Sequence, residues 1–98
     1  MLDALAAAWD TATAGDAITM AERVDIRLAA STAMSAAVTV ADATLRLAGG
    51  KALYADNPLQ RCWRDVHAGS AHLFNSDKTA AVAGRALLDQ PLVDGFLL

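Results

Sequence analysis

The chain has 98 residues, a formal net charge of −3 and a sequence pI near 5.0, and its eight Lys and Arg are scattered, which argues against a nucleic-acid partner. It is 55% hydrophobic, yet alanine supplies 24 residues and aromatics only five, a balance that points to an all-α fold whose helices pack through small side chains. The length allows one helical domain over residues 1–98 and is small for an enzyme that must enclose a cofactor by itself.

The spacing of Leu2, Leu5, Ala6 and Trp9 predicts a first helix over 2–13 with these residues on one face, ended by Ala14-Gly15. Met1-Leu2-Asp3 lacks the basic region of a secretory signal, so a cytoplasmic location is expected. Asp16 is expected to cap a second helix over 17–48, with a polar stripe through Glu22, Asp25, Ser35, Thr39, Asp42 and Arg46. Its uncharged run, Leu28 to Ala41, is 14 residues long and contains hydroxyls, so no membrane span and no membrane partner are expected. Gly49-Gly50 supplies the helix stop, and residues 51–56 make a connection. Asn57 and Pro58 then read as the N-cap and first position of a third helix, over 58–74. Leu59, Cys62, Trp63, Val66, Leu73 and Phe74 form its buried stripe, and a polar side holds Arg61, Asp65 and His72. Cys62 is the only cysteine, which excludes an intramolecular disulfide and a cysteine-based zinc site. The polar break from Asn75 to Lys78 leads to a fourth helix over 79–88, and Pro91 and Gly95 mark an irregular apolar tail from Leu92 to Leu98.

The expected architecture is an antiparallel bundle built on the second and third helices, with Leu28, Val38, Leu45, Leu59, Cys62, Trp63 and Val66 mostly buried. The second helix is apolar over more than one face, and the tail adds Leu92, Val93, Phe96, Leu97 and Leu98. Three short partners cannot cover that much apolar surface, so a homo-oligomer, or a larger protein of which this is part, is expected.

The run from Gly49 to His72 resembles the helix that closes the flavin site in the acyl-CoA dehydrogenase superfamily. The pattern is Gly-Gly, a proline eight residues after the second glycine, and Arg-Asp six and seven residues after that proline, met here by Gly49, Gly50, Pro58, Arg64 and Asp65. The resemblance implies the family's C-terminal helical domain, lacking the N-terminal helical and central β-domains. Dehydrogenases of the family carry a catalytic glutamate eight residues after that aspartate; this chain has Leu73 there. Flavin-dependent monooxygenases of the same fold resemble Pro-Leu-x-Arg-x-x-Arg-Asp with a histidine seven residues on, as in Pro58 to Asp65 and His72, and Gly84 to Leu88 looks like the end of that branch.

That resemblance implies a role for His72 facing the isoalloxazine ring, where an imidazole can donate a hydrogen bond or help to deprotonate a phenolic substrate. It implies that Arg46, Gly49 and Gly50 contact the flavin of a neighbouring subunit, although relatives usually have glutamine in place of Arg46. Arg64 and Asp65 would be a structural pair. The intact enzyme would use FAD or FMN, supplied by a flavin reductase where it is a two-component system, while the isolated chain is expected to hold no flavin tightly and to be inactive.

Other readings of the same residues are weaker. His67 and His72 are five apart, roughly 140° around a helix, which is wrong for a chelating pair. Ser70 and His67 share a face without an acidic residue of that helix to orient the imidazole. Gly49-Gly50 reads as a plain helix stop on local grounds, and Trp9 and Trp63 read as core. The reading is therefore a C-terminal fragment of a flavin monooxygenase, with two alternatives: a free-standing helical oligomerisation module, or an acyl-CoA dehydrogenase fragment, which Leu73 disfavours.

Overall fold

In the computed structural model, which describes residues 1–98, the chain forms four α-helices and no strand: α1 (Leu2–Thr13), α2 (Met20–Ala48), α3 (Pro58–Ser70) and α4 (Asp77–Leu87). Short 3-10 turns lie at Gly49–Leu53, Leu73–Asn75 and Gly95–Leu97. The all-α expectation holds. α1, α3 and α4 all pack on α2, and the α2–α3 pair is the most extensive.

Local chemistry fixes the helix ends. Thr19, not Asp16, starts α2: its Oγ1 accepts from the Glu22 N–H at 3.2 Å, and the Glu22 carboxylate accepts from the Thr19 N–H at 2.8 Å. This reciprocal pair satisfies two otherwise orphaned donors, and the helix begins three residues later than the apolar pattern suggests. α2 ends at Gly49, whose φ of 59° and ψ of −148° lie in a region almost reserved for glycine. Asn57 Oδ1 accepts from the Leu59 N–H at 3.0 Å, and Pro58 takes the first helical position, as expected.

α3 stops at Ser70, so His72, Leu73 and Phe74 are not on it. His72 instead caps the following 3-10 turn, its Nδ1 accepting from the Phe74 N–H at 3.3 Å. The single amphipathic helix expected over 58–74 is thus a helix and a turn. Two side-chain bonds hold the corner: Asn75 Nδ2 donates to Gly69 O at 3.1 Å, and Thr79 Oγ1 donates to Leu73 O at 2.8 Å.

The core sits where α2 begins, between α4 and the tail. Val24, Val82, Ala83, Leu97 and Leu98 are buried together, with Leu28, Phe74, Ala86 and Leu92 packed around them. The tail expected to be irregular and exposed therefore ends inside the core, fastened by Arg23 Nε donating to Leu98 O at 2.8 Å and by Lys78 with Asp94 at 3.0 Å. Val93 and Phe96 remain exposed.

Several residues expected in the core are not there. Ala8 is the buried residue of α1, whereas Leu2, Leu5 and Trp9 face outward, Trp9 with 71% of its surface exposed. Cys62 is exposed, and Leu28, Val38, Leu45, Leu59, Trp63 and Val66 are only half-buried. The helical periodicity was sound, but the apolar stripes face surfaces that nothing in this chain covers.

The dimensions say the same. The radius of gyration is 17.0 Å, against about 13 Å for a compact domain of this length. The accessible surface is 6720 Å², whereas a compact monomer of this mass exposes about 5300 Å². Only 8 of 98 residues are buried. α2 is also long and apolar enough, by length and composition, to cross a bilayer, so the shortness of the uncharged run does not exclude a span as expected. The other three helices pack along it, which makes it the central helix of the bundle.

Candidate functional site

His72 is exposed at the corner after α3. Because Nδ1 accepts the Phe74 N–H, the neutral imidazole carries its proton on Nε2, which has no acceptor within the chain. The ring also lies against Phe74, with centroids 5.6 Å apart and planes at 28°. On α2, the Arg27 guanidinium sits 4.6 Å from the centroid of the same Phe74 ring. An imidazole donor and a guanidinium are therefore held by one aromatic ring. Leu73, beside them, is partly exposed and has no group that can take a proton.

Arg46, Gly49 and Gly50 lie at the other end of the α2–α3 pair. With 13 residues in α3, about 20 Å of helix separates this end from His72. The structure does not bring the four predicted site residues into one cluster. Arg46, Gly49 and Gly50 are all exposed, and no atom lies within 4 Å of where a Cβ would project from either glycine. Arg46 also favours the ionised form of Asp42 one turn before it.

Between the two ends is a polar link that the sequence reading lacks. Asp42 Oδ1 accepts from Trp63 Nε1 at 2.7 Å and meets His67 Nε2 at 2.9 Å. The bond with His67 first, then that with Trp63, holds the Asp42 carboxyl below the usual carboxylate range. Trp63 and His67 are one turn apart with ring centroids 4.4 Å apart. The acidic partner of His67 comes from α2, so a search confined to α3 could not find it. Ser70 donates to the backbone oxygen of His67, not to its ring, and no Ser-His-Asp relay forms. Asp65 pairs with Arg61 at 3.7 Å, on an exposed face, and not with its neighbour Arg64.

Trp63 also borders an open apolar groove of about 460 Å³ between α2 and α3, lined by alanines of α2 such as Ala36 and Ala37 and by Leu59, Cys62 and Val66. The small side chains do not close these helices together; they leave a trough. Asp42 and Arg27 are the residues of this region that sequence reasoning missed. The available signals were the four-residue spacing of Trp63 and His67 and the position of Asp42 in the polar stripe of α2.

Residues 1–77 match the model of a family described as the acyl-CoA dehydrogenase C-terminal domain. The chain is 41% identical over 67 residues to the pigment production hydroxylase of Rhodococcus erythropolis, a match covering 68% of this chain and 17% of that protein. It is 30% identical over 90 residues to the indole-3-acetate monooxygenase of Pseudomonas putida, covering 92% of this chain and 23% of that protein. The chain thus spans about a fifth of the length of these curated relatives. No solved structure matches it.

Proposed function

We propose that this chain, which belongs to the acyl-CoA dehydrogenase C-terminal domain family, forms the C-terminal helical wall of a flavin-dependent hydroxylase acting on an aromatic substrate. The observation that carries this reading is the pair at 72 and 73: an exposed imidazole with a free Nε2–H stands beside a leucine, where dehydrogenation of a thioester needs a carboxylate base. The names of the two relatives, a hydroxylase and a monooxygenase, agree with that choice of chemistry.

The residues present suit a flavin at both ends of the α2–α3 pair. At one end the bare surface of Gly49 and Gly50, with Arg46 one turn away, leaves room and a cation for a phosphate-bearing moiety. At the other, His72 offers Nε2–H as a donor. The distance between the ends supports contacts with two different flavins, one in its own subunit and one in a neighbour. A bound, reduced flavin supplies the activation of oxygen. His72 would contribute a hydrogen bond to the oxygen-bearing face or accept the proton of a phenolic substrate, and Leu73 and Phe74 would keep water from that face.

Assembly with other domains or copies is part of the proposal, and it rests on the groove and on the exposed Leu2, Leu5, Trp9, Val40 and Leu47. The same surface supports a second reading, a free-standing helical module that self-associates. A chimera decides between them. Replacing the matching C-terminal segment of the indole-3-acetate monooxygenase with this chain should give a protein that retains reduced flavin and hydroxylates an aromatic substrate. A folded chimera that does neither would leave the self-associating module as the function.

A further inference from the structure

Every polar atom of His72 but one is engaged by its neighbours. Its N–H donates to Gly69 O at 3.2 Å, its carbonyl accepts from the Asn75 N–H at 2.9 Å, and its Nδ1 accepts from the Phe74 N–H at 3.3 Å, which leaves Nε2–H free. The ring beside the imidazole is anchored in turn, since Phe74 packs on the core of Val24, Val82 and Leu97 and carries the Arg27 guanidinium 4.6 Å from its centroid. The backbone at the corner has no such support of its own: α3 has ended at Ser70, and the turn that follows has three residues.

Gly69 O, one of the last carbonyls of α3 and without a helical partner, is where the corner is tied: it accepts the His72 N–H and also Asn75 Nδ2–H at 3.1 Å. No other side chain beyond His72 bonds back to α3. Those of Ser76 and Thr79 both donate to Leu73 O, so that carbonyl keeps a partner if either is lost. Asn75 therefore holds His72 from both sides, its N–H on the His72 carbonyl and its carboxamide on the carbonyl that takes the His72 N–H. We infer that Asn75 is a positioning residue for His72, whose carboxamide braces the corner against the end of α3 and so fixes where the imidazole presents Nε2–H. Its consequence for catalysis rests on the proposed hydroxylase reading; the mounting of the ring rests on the geometry alone.

The first arm of the test is nuclear magnetic resonance of the 98-residue chain labelled with ¹³C and ¹⁵N. Wild-type His72 should show the Nε2–H tautomer and Overhauser contacts with the Phe74 ring, whose centroid lies 5.6 Å away. Asn75→Ala should lose those contacts and bring the two ring nitrogens to the averaged shifts of a free imidazole, while helical content and the methyl shifts of Val82 and Leu97 stay as in wild type. Ser76→Ala removes a bond at the same corner that does not cross His72, and it should leave the His72 spectrum unchanged. Should Asn75→Ala fail to fold, Asn75→Asp serves: it keeps the shape, sits beside the N-terminus of α4, where an anion is favourable, and cannot donate to Gly69 O, so it should lose the same ring contacts. In the second arm, the chimera carrying Asn75→Ala should lose about tenfold or more in hydroxylation with flavin affinity unchanged, the scale of a displaced acid–base group. Identical His72 spectra in wild type and Asn75→Ala, or the same loss in Ser76→Ala, would overturn the assignment, as would full product yield from Asn75→Ala in a chimera that His72→Ala disables. Lost ring contacts in Asn75→Ala, with a wild-type chimera that hydroxylates nothing, would support the brace and remove the hydroxylase.

Discussion

Asp42 of α2 and His67 of α3 meet across the helix pair with Oδ1 2.9 Å from Nε2, and the same carboxylate oxygen takes the Trp63 indole N–H at 2.7 Å. Two α3 side chains one turn apart thus converge on a single α2 acceptor, which fixes the rotation of α3 against α2. Because the folded state holds the Asp42 carboxyl below its ordinary value, the stability it contributes is fully present above the unfolded carboxylate pKa and is lost as pH falls through the lowered folded value. Glu22, lowered mainly by its bond with Thr11 and further by Thr19, adds an acid limb of the same sign. Thermal melts followed by circular dichroism from neutral to acid pH should show wild type losing stability more steeply than Asp42→Ala. Glu22 is common to both proteins, so parallel curves would remove Asp42 as the source.

Gly49 and Gly50 separate backbone need from ligand need. Gly49 has positive φ, in a region where a side chain is strained, so Gly49→Ala should cost about 1–3 kcal/mol in chemical denaturation. Gly50 has no positive φ and open space before it, so Gly50→Ala should leave stability within about 0.5 kcal/mol of wild type. If Gly50 also borders a flavin, the chimera carrying Gly50→Ala should lose flavin affinity without losing stability. Equal destabilisation by both changes would refute the assignment.

The tail is a structural lock. Leu97 is fully buried among Val24, Val82 and Ala83, and Leu97→Ala should cost about 2–5 kcal/mol. Thr79 is equally buried and donates to Leu73 O at 2.8 Å, so Thr79→Val should cost about 1 kcal/mol. Denaturant midpoints at constant slope would report both. A Leu97→Ala protein as stable as wild type would mean that the tail is not docked in solution.

Most of the helical content was legible because caps and breaks are local chemistry. Asn57, Pro58 and Gly49 act over one or two residues, and their helix ends appear where the sequence placed them. Thr19 with Glu22 was equally local, but Asp16 offered a competing cap and the apolar pattern extends through Ala17 and Ile18. The apolar spacing of Leu73 and Phe74 extends α3 too far; side-chain bonds from Asn75 and Thr79, each reaching back six residues to a backbone carbonyl, turn the chain instead. The partners of His67 and Phe74 come from α2, many residues away in sequence, and periodicity along one helix carries no information about them. Burial was least legible, since an apolar face records that something covers it, not what.

Association follows from that uncovered surface. The accessible area exceeds that of a compact monomer by about 1400 Å², more than one partner's share of a standard interface, about 800 Å². Sedimentation equilibrium should show a dimer or larger species at micromolar concentrations. Replacing Ala37, in the open groove, with Glu should shift the chain towards monomer while leaving its helical content intact. A wild-type monomer whose mass does not change with concentration would rule self-association out.

The last expectation concerns the chemistry at His72. Its imidazole is exposed, its tautomer is set by the Phe74 N–H, and its Nε2–H has no acceptor in the chain, so removing it should not disturb the core formed by Val24, Val82 and Leu97. In the flavin-binding chimera, His72→Ala should lower hydroxylation by about 10²-fold, the scale of a lost acid–base group, with flavin affinity nearly unchanged. Oxygen consumption should continue and yield hydrogen peroxide in place of the hydroxylated product. His72→Gln restores a donor that cannot take a proton, so rescue of product by Gln assigns a hydrogen-bonding role and failure of rescue assigns proton transfer. Full product yield from His72→Ala would reduce His72 to the cap of a 3-10 turn, and dehydrogenation of a thioester by the wild-type chimera would place the chemistry with the dehydrogenases despite Leu73.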